Sequence, residues 1–451
     1  MMKTTSFWYL FSALVVLTSC GKDKDETTSP FIEWQSVTGG KQSDLPRSIA
    51  EGKNGEYIVV GVTYNNYGNN SGDITNIHGG FSDALVTKLD ANGNKVWVKA
   101  FGGSDVDEAW SVAATPDGDF IVAGYSGSQD GDVPKKMGYD DFWIMKIDTD
   151  VKIIWSKTYG STSEDQAHAV TVTPDGGCVV TGFTEGNNGD VQGNNNNQFN
   201  LWILKLDASG NKQWAKMYGG SNVDGASGIT NCPDGGYAIA GYSRSNDGDV
   251  TGHHGNSNMD IWVLKIDGQG NKQWDKSFGG TNDDYGQSII STAEGRLVVS
   301  GTTNSADGEI TGYHQGNNLS DACILKLDMA GNINWAKAYG GFRSEGAYSI
   351  VAGKDGGYVF NGSVTSADGD VSGYPAGGQG SDHWLVKLDA DGNLKWNNCY
   401  GSTGRDAAYS MIRTRDNGYI LTGTIQNGDR DVTVQTYGGD YDWWTFKIKS
   451  L

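Results

Sequence analysis

Cysteine is scarce in this chain, and its placement excludes two common ways of bracing a fold. Five cysteines occur in 451 residues. None stands in a CxxC pair, so a zinc site has no ligand set to draw on. Cys178, Cys232, Cys323 and Cys399 fall at different points of the repeating units described below, which rules out a repeated disulfide ladder. They read as small apolar fillers, with Cys178–Cys232 as the pairing to check. Positive charge is also short: 34 Lys and Arg stand against 54 Asp and Glu, for a net charge of −20. Such a chain repels nucleic acid and anionic lipid surfaces. It suits cations, neutral sugars or a basic partner. Apolar runs are short, and the longest lies at the N-terminus, where residues 7–17 read FWYLFSALVVL. That stretch cannot span a bilayer as a mature helix.

The same stretch has the layout of an export signal. Lys3 supplies a positive start, the apolar run follows, and Leu17-Thr18-Ser19-Cys20 closes it. This string resembles the bacterial lipobox. The resemblance implies a signal peptide over residues 1–19 and lipidation of Cys20 as the first mature residue, with acyl chains as the only membrane attachment. Residues 21–30, GKDKDETTSP, are charged and apolar-poor and read as a flexible tether. Lys22-Asp23-Lys24-Asp25-Glu26 resembles the acidic stretch that follows the lipidated cysteine in surface lipoproteins of Bacteroidota. It implies an outer-membrane, cell-surface location, with a periplasm-facing linker as the alternative.

Beyond residue 30 one pattern repeats. Tryptophans at 34, 97, 155, 214, 274, 335 and 396 are separated by 63, 58, 59, 60, 61 and 61 residues. Each opens W-x-K-x-Y-G-G-S, then an acid, a PDGG-type turn, an apolar run, a DGDV loop and D-x-W-x-x-K-[LI]-D. In residues 222–279 this predicts strands at 226–232, 237–242, 261–266 and 272–278, joined by glycine turns that need φ > 0. Four antiparallel strands in about sixty residues is a propeller blade. The last unit stops after its third strand, and residues 31–40 match a fourth. The expected fold is therefore all-β: a monomeric seven-bladed β-propeller over residues 31–451, closed by the N-terminal strand completing the last blade. The repeated Trp residues are expected to form inter-blade core.

The units YGGSNVDGASGI, DGGYAIAGYSRSNDGDV and DIWVLKIDGQGN are similar to those of the bacterial beta-propeller repeat family. The resemblance spans residues 31–451 and implies the fold; that family has no common activity, so it implies no chemistry.

Tight DGG and GN turns share one face of such a ring. The GGSxxD and DGDV loops share the other, where binding residues usually gather. Three acidic rings lie on that face. They run through Asp44, Asp107, Asp165, Asp224, Asp284, Glu345 and Asp406; through Asp73, Asp132, Asp190, Asp249, Glu309, Asp370 and Asp431; and through Asp83, Asp141, Asn200, Asp260, Asp321, Asp382 and Asp442. Calcium takes six to eight oxygens. The candidate ligands are Asp247, Asp249 and Asp260 in blade 4, and Asp368, Asp370 and Asp382 in blade 6. The spacing is not an EF-hand loop, however. The alternative is that these carboxylates hold backbone N–H groups and shape the loops.

One position varies inside the repeated frame. Three residues after the first-ring acid stand Arg47, Trp110, His168, Ser227, Gln287, Tyr348 and Tyr409. Facing the channel, they would make a ring of aromatic, cationic and amide groups suited to a glycan or peptide; otherwise they are packing. His78, His254 and His314, five residues after the second-ring acid, read as loop residues. No nucleophile with a base, arginine cluster or Asp-box is present. His168 with a ring carboxylate is the only acid–base pair on offer. The sequence thus points to a non-enzymatic protein. It reads first as a scaffold subunit of an outer-membrane complex, then as a binding module for glycan or peptide, and last as a hydrolase; calcium is the one cofactor its acids suggest.

Overall fold

Each sixty-residue unit folds as four short strands because apolar and β-branched runs alternate with turns that only glycine makes freely. In blade 4 the strands are Asp224–Asn231, Tyr237–Ser243, Asp260–Ile266 and Lys272–Phe278. Gly235, in the first tight turn, has φ +81°. The computed structural model describes residues 31–64, 71–194, 198–255, 257–314, 319–375 and 380–449. The signal peptide, Cys20 and the tether expected from the sequence lie outside the described residues.

Among the described residues, 28 strands form seven four-stranded antiparallel sheets, one per blade. Ile32–Thr38 pairs with Asp442–Ile448, with Gln35 opposite Phe446 and Val37 opposite Trp444. The N-terminal strand therefore completes the seventh blade and removes a sheet edge that would otherwise stand open. No helix of the described residues is long and apolar enough to cross a membrane.

The core lies between blades. Five of the seven third strands are buried from end to end, and Trp143, Trp202, Trp262, Trp384 and Trp444 are fully enclosed. Trp262, for example, packs on Val179, Leu201 and Ile203 of the preceding blade. The repeated fourth-strand tryptophans, expected as core, are instead half-buried staples. Their indoles lie against the third-to-fourth turn of the next blade. Trp155, Trp274 and Trp335 donate to the carbonyls of Ala208, Met329 and Ala390 at 3.1, 2.9 and 3.2 Å. The Tyr339 hydroxyl donates to the Gly392 carbonyl at 2.6 Å in the same way. An outer strand has a neighbour on one side only, so its tryptophan keeps an edge in water.

The repeated lysine closes the tight-turn face. Lys265 is 1% exposed and pairs with Asp234 of the DGG turn at 2.8 Å; Lys146 meets Asp117 at 2.6 Å. Blades 1 and 5 carry Asn54 and Glu294 at that turn position. Their lysines, Lys88 and Lys326, donate to the neighbouring blade's carbonyls at Thr149 and Ala390. All four described cysteines beyond Cys20 are buried and free, so the Cys178–Cys232 bridge does not form.

Candidate functional site

The variable ring owes its position to a bulge. In blade 4, Ala226 pairs with Gly241 and Gly228 with Ala240, leaving Ser227 without an opposite residue. The same slip falls at Arg47, Trp110, His168, Gln287, Tyr348 and Tyr409. A bulge inserts one unpaired residue and re-aims its side chain. The partner strand carries glycine at each slip, as at Gly124, where a Cβ would stand 2.9 Å from the Glu108 carbonyl carbon and 3.0 Å from Ala109 Cα. The glycine of the repeated G-x-[ST] thus makes room for the bulge.

All seven bulged residues line one cavity of about 360 Å³ at the hub. Every ring residue singled out from the sequence is therefore brought together. Arg47 lies over Trp110, 4.2 Å from the ring centre, and 5.3 Å from that of Tyr409. Trp110 stacks on His168 at 4.4 Å, and its indole N–H donates to Glu108 at 3.0 Å. Burial pulls the His168 imidazole down to about 4, so it is neutral at pH 7, and the Ala226 backbone holds it. Its partner is not a ring carboxylate, so the acid–base pair suggested by the sequence is not assembled. A second cavity of about 480 Å³, lined by Gln42, Tyr64, Arg405 and Tyr441 among others, lies between blades 7 and 1 and shares Tyr409 with the first.

The acidic rings do other work. Each first-ring carboxylate is buried and takes the backbone N–H four residues before it. Asp224 does so from Gly220 at 2.7 Å, and also accepts the Ser245 hydroxyl at 2.8 Å and that of Ser243. The DGDV phrase clasps the GGS connection. Asp247 accepts from Ser221 N–H at 2.7 Å and Asp368 from Phe342 N–H at 2.9 Å. Asp249 accepts weakly from Gly219 N–H at 3.5 Å and pairs with Lys272 at 3.3 Å; Asp370 accepts from Gly340 N–H at 3.3 Å.

The two calcium triplets are not brought together. Asp247 and Asp249 hold the connection from blade 3, whereas Asp260 faces blade 5. Asp368 and Asp370 hold the connection from blade 5, whereas Asp382 faces blade 7. The phrase and the third-strand acid are close in sequence but sit on opposite sides of one blade. Asp382 is forked by Arg430 at 3.1 and 3.0 Å. Among the described residues, no group of three or more His, Cys, Asp or Glu side chains is placed to hold a metal ion.

The histidines have a role the sequence reading missed. His254 reaches Asp260 of its own blade through Nδ1 at 3.0 Å and Glu309 of the next through Nε2 at 3.2 Å. His314 spans Asp321 and Asp370 at 3.0 and 3.8 Å, and His78 spans Asp83 and Asp132 at 3.6 Å each. Burial would lower the His254 imidazole, but Glu309 and Asp260 outweigh it and its pKa stands raised. Burial pushes Asp260 up to about 6 and Asp321 to about 7. The signal was available: a histidine five residues after one ring acid and five to seven residues before another.

No protein-family model matches this chain. The regulatory protein FlaEY of Caulobacter vibrioides is 23% identical over 232 residues, which is 49% of this chain and 24% of that protein. The match thus spans about a quarter of its relative's length. Among solved structures, the Pan2 WD40 domain of Neurospora crassa is 9% identical, covers 90% of this chain and 89% of its own, and superposes with a TM-score of 0.44. YCF48 bound to D1 peptide is 11% identical, covers 94% and 98%, and also has a TM-score of 0.44. At such identities these likenesses say nothing of ligand or chemistry.

Proposed function

We propose that this chain is a non-enzymatic binding module that takes its ligand, a glycan or peptide, at the ring of bulged residues. One observation carries the reading. In a frame that repeats almost everywhere else, the inner-strand position freed from pairing differs from blade to blade, and all seven copies line one cavity. Packing alone does not call for arginine, glutamine and three kinds of ring around one void. Attachment through lipidated Cys20 would hold the propeller at the outer membrane, facing outward. The test is affinity capture from detergent-solubilised host membranes with the parent, Trp110→Ala and Tyr348→Ala. Loss of the captured ligand with an unchanged Tm supports the module. Both variants folding and capturing as the parent does would sink it.

A scaffold reading has its own observation. Phe81, Tyr139 and Phe342 are 66, 79 and 61% exposed, and all three stand on connections of the long-loop face. Large exposed apolar side chains on one face suit a protein partner. Under this reading, Phe81→Ser and Phe342→Ser abolish a stoichiometric complex that Trp110→Ala leaves intact. Retention of the complex by both Ser variants rejects it.

A further inference from the structure

From the contacts of one side chain we infer that the central cavity recognises a carboxylate, with Arg47 as the group that receives it. This rests on the binding-module reading and names the chemistry of its ligand. Arg47 is the only lining residue charged at neutral pH. Its side chain is 17% exposed, and among the described residues its guanidinium makes no hydrogen bond. The Nε–H is buried and unpartnered. The nearest carboxylate oxygen, on Glu108, is 3.9 Å away, beyond hydrogen-bond reach, and already accepts from Trp110.

Leaving the buried Nε–H unmet is unfavourable. The stack on Trp110 and beside Tyr409 fixes the plane of the fork without using its donors. An acceptor approaching through the cavity would therefore meet a pre-set pair of N–H groups. A planar carboxylate fits that fork bidentately.

Charge selects the carboxylate over phosphate. Glu108 lies close enough to offset part of the Arg47 charge, and no second Lys or Arg lines the cavity. A monoanion is matched there, while a dianion would be left with excess charge. A volume of about 360 Å³ holds roughly a dozen waters and so admits a small acid with a polar body. Trp110, Tyr348 and Tyr409 offer flat walls, and the Gln287 amide makes no hydrogen bond within the described residues. Both an amino-acid carboxylate and a sugar acid meet these terms.

The experiment uses the full-length protein in detergent, with saturation-transfer NMR and titration calorimetry. The probes are N-acetylglycine and its amide, glucuronate and glucose, and inorganic phosphate. At least one acid is expected to bind roughly tenfold or more tightly than its neutral counterpart, the scale of a charge-assisted hydrogen bond. Which acid does so separates the two sources. Arg47→Gln should erase that preference in a protein that stays folded, with only the small fall in Tm that loss of the Trp110 stack brings. The inference is overturned if acid and neutral probes bind alike, if no acid binds at millimolar concentration, if phosphate binds best, or if Arg47→Gln keeps the preference. In each of those cases, loss of the captured ligand by Trp110→Ala would leave the module reading standing. Retention by Trp110→Ala and Tyr348→Ala would remove the module itself.

Discussion

Gly124→Ala isolates the link between the repeated glycine and the ring. Gly124 lies in a second strand with no positive φ, so its backbone suits alanine. Reduced freedom in the unfolded chain would by itself favour alanine by about 0.4–1 kcal/mol. Any loss is therefore steric. The new Cβ would lie 2.9 Å from the Glu108 carbonyl carbon and 3.0 Å from Ala109 Cα, with the Glu108 oxygen nearer still. Ordinary carbon–carbon contacts are about 3.5–4.0 Å, so the two carbons alone push the strands about 0.5–1 Å apart and the nearer oxygen pushes them further. That stretches the ladder bonds on either side of Trp110. Two such bonds at about 0.5–1.5 kcal/mol each, with the strain of overpacking, give a net loss of about 2–4 kcal/mol. Urea unfolding reads the stability. Amide exchange across Asp107–Ala114 and Phe120–Ser126 reads the place. Gly235→Ala is the contrast: nothing lies within 4 Å of its added Cβ, but φ is +81°, so it should cost about 1–2 kcal/mol without faster exchange in blade 2. Gly124→Ala within about 0.5 kcal/mol of the parent, or no local exchange change, would refute the steric account of the bulge.

Four further outcomes follow from the same contacts. Asp224→Ala removes the acceptor of the Gly220 N–H and of the Ser243 and Ser245 hydroxyls; it should lose about 2–4 kcal/mol by denaturant titration, with Asp224→Asn losing about half of that, and equal losses would argue against the capping role. Trp262→Ala should cost about 3–5 kcal/mol and half-buried Trp214→Ala distinctly less, so the reverse order in Tm would reject the assignment of core. Burial, the largest cause, lifts Asp44 and Asp165 to about 7 and Asp406 to about 6; these lie above the unfolded value near 3.9, so their stabilisation is full below about pH 4 and lost as pH rises through 6–7, and raised His254 has the same sign. Tm should accordingly be higher at pH 5.5 than at pH 8.5, and the opposite order would contradict it. EDTA should leave Tm unchanged, because Asp247, Asp249 and Asp382 already hold a backbone N–H, Lys272 and Arg430; a clear fall would restore calcium.

The fold was legible because the same few side chains must solve the same problem seven times. A glycine turn, a buried third strand and a fourth strand facing the next blade recur at fixed spacing, so blade count and closure could be counted directly. What misled was reading Trp214 and Trp262 by type alone. Both are tryptophans in apolar strands, and periodicity marks each as important. Only the strand's rank from the hub decides which is enclosed. The third strand has neighbours on both sides, whereas the fourth has one and leaves its indole half in water.

The ring was legible as variation and not as geometry. A bulge leaves no mark on the inner strand, where Ala226-Ser227-Gly228 reads as plain β. Its trace is the glycine opposite, Gly241, whose added Cβ would meet Ala226 Cα at 2.8 Å. The two acid triplets are split for a related reason. Asp249 and Asp260 are eleven residues apart, yet their blade lies between them, one turned to blade 3 and the other to Asp284 of blade 5. In a closed ring of sheets, proximity runs across blade boundaries. The groups that meet are third-strand and loop acids of consecutive blades, Asp260 with Glu309 and Asp321 with Asp370, and the bridge between each pair is a histidine. Aligning each unit against the next one, rather than with itself, is what makes that bridge readable from sequence.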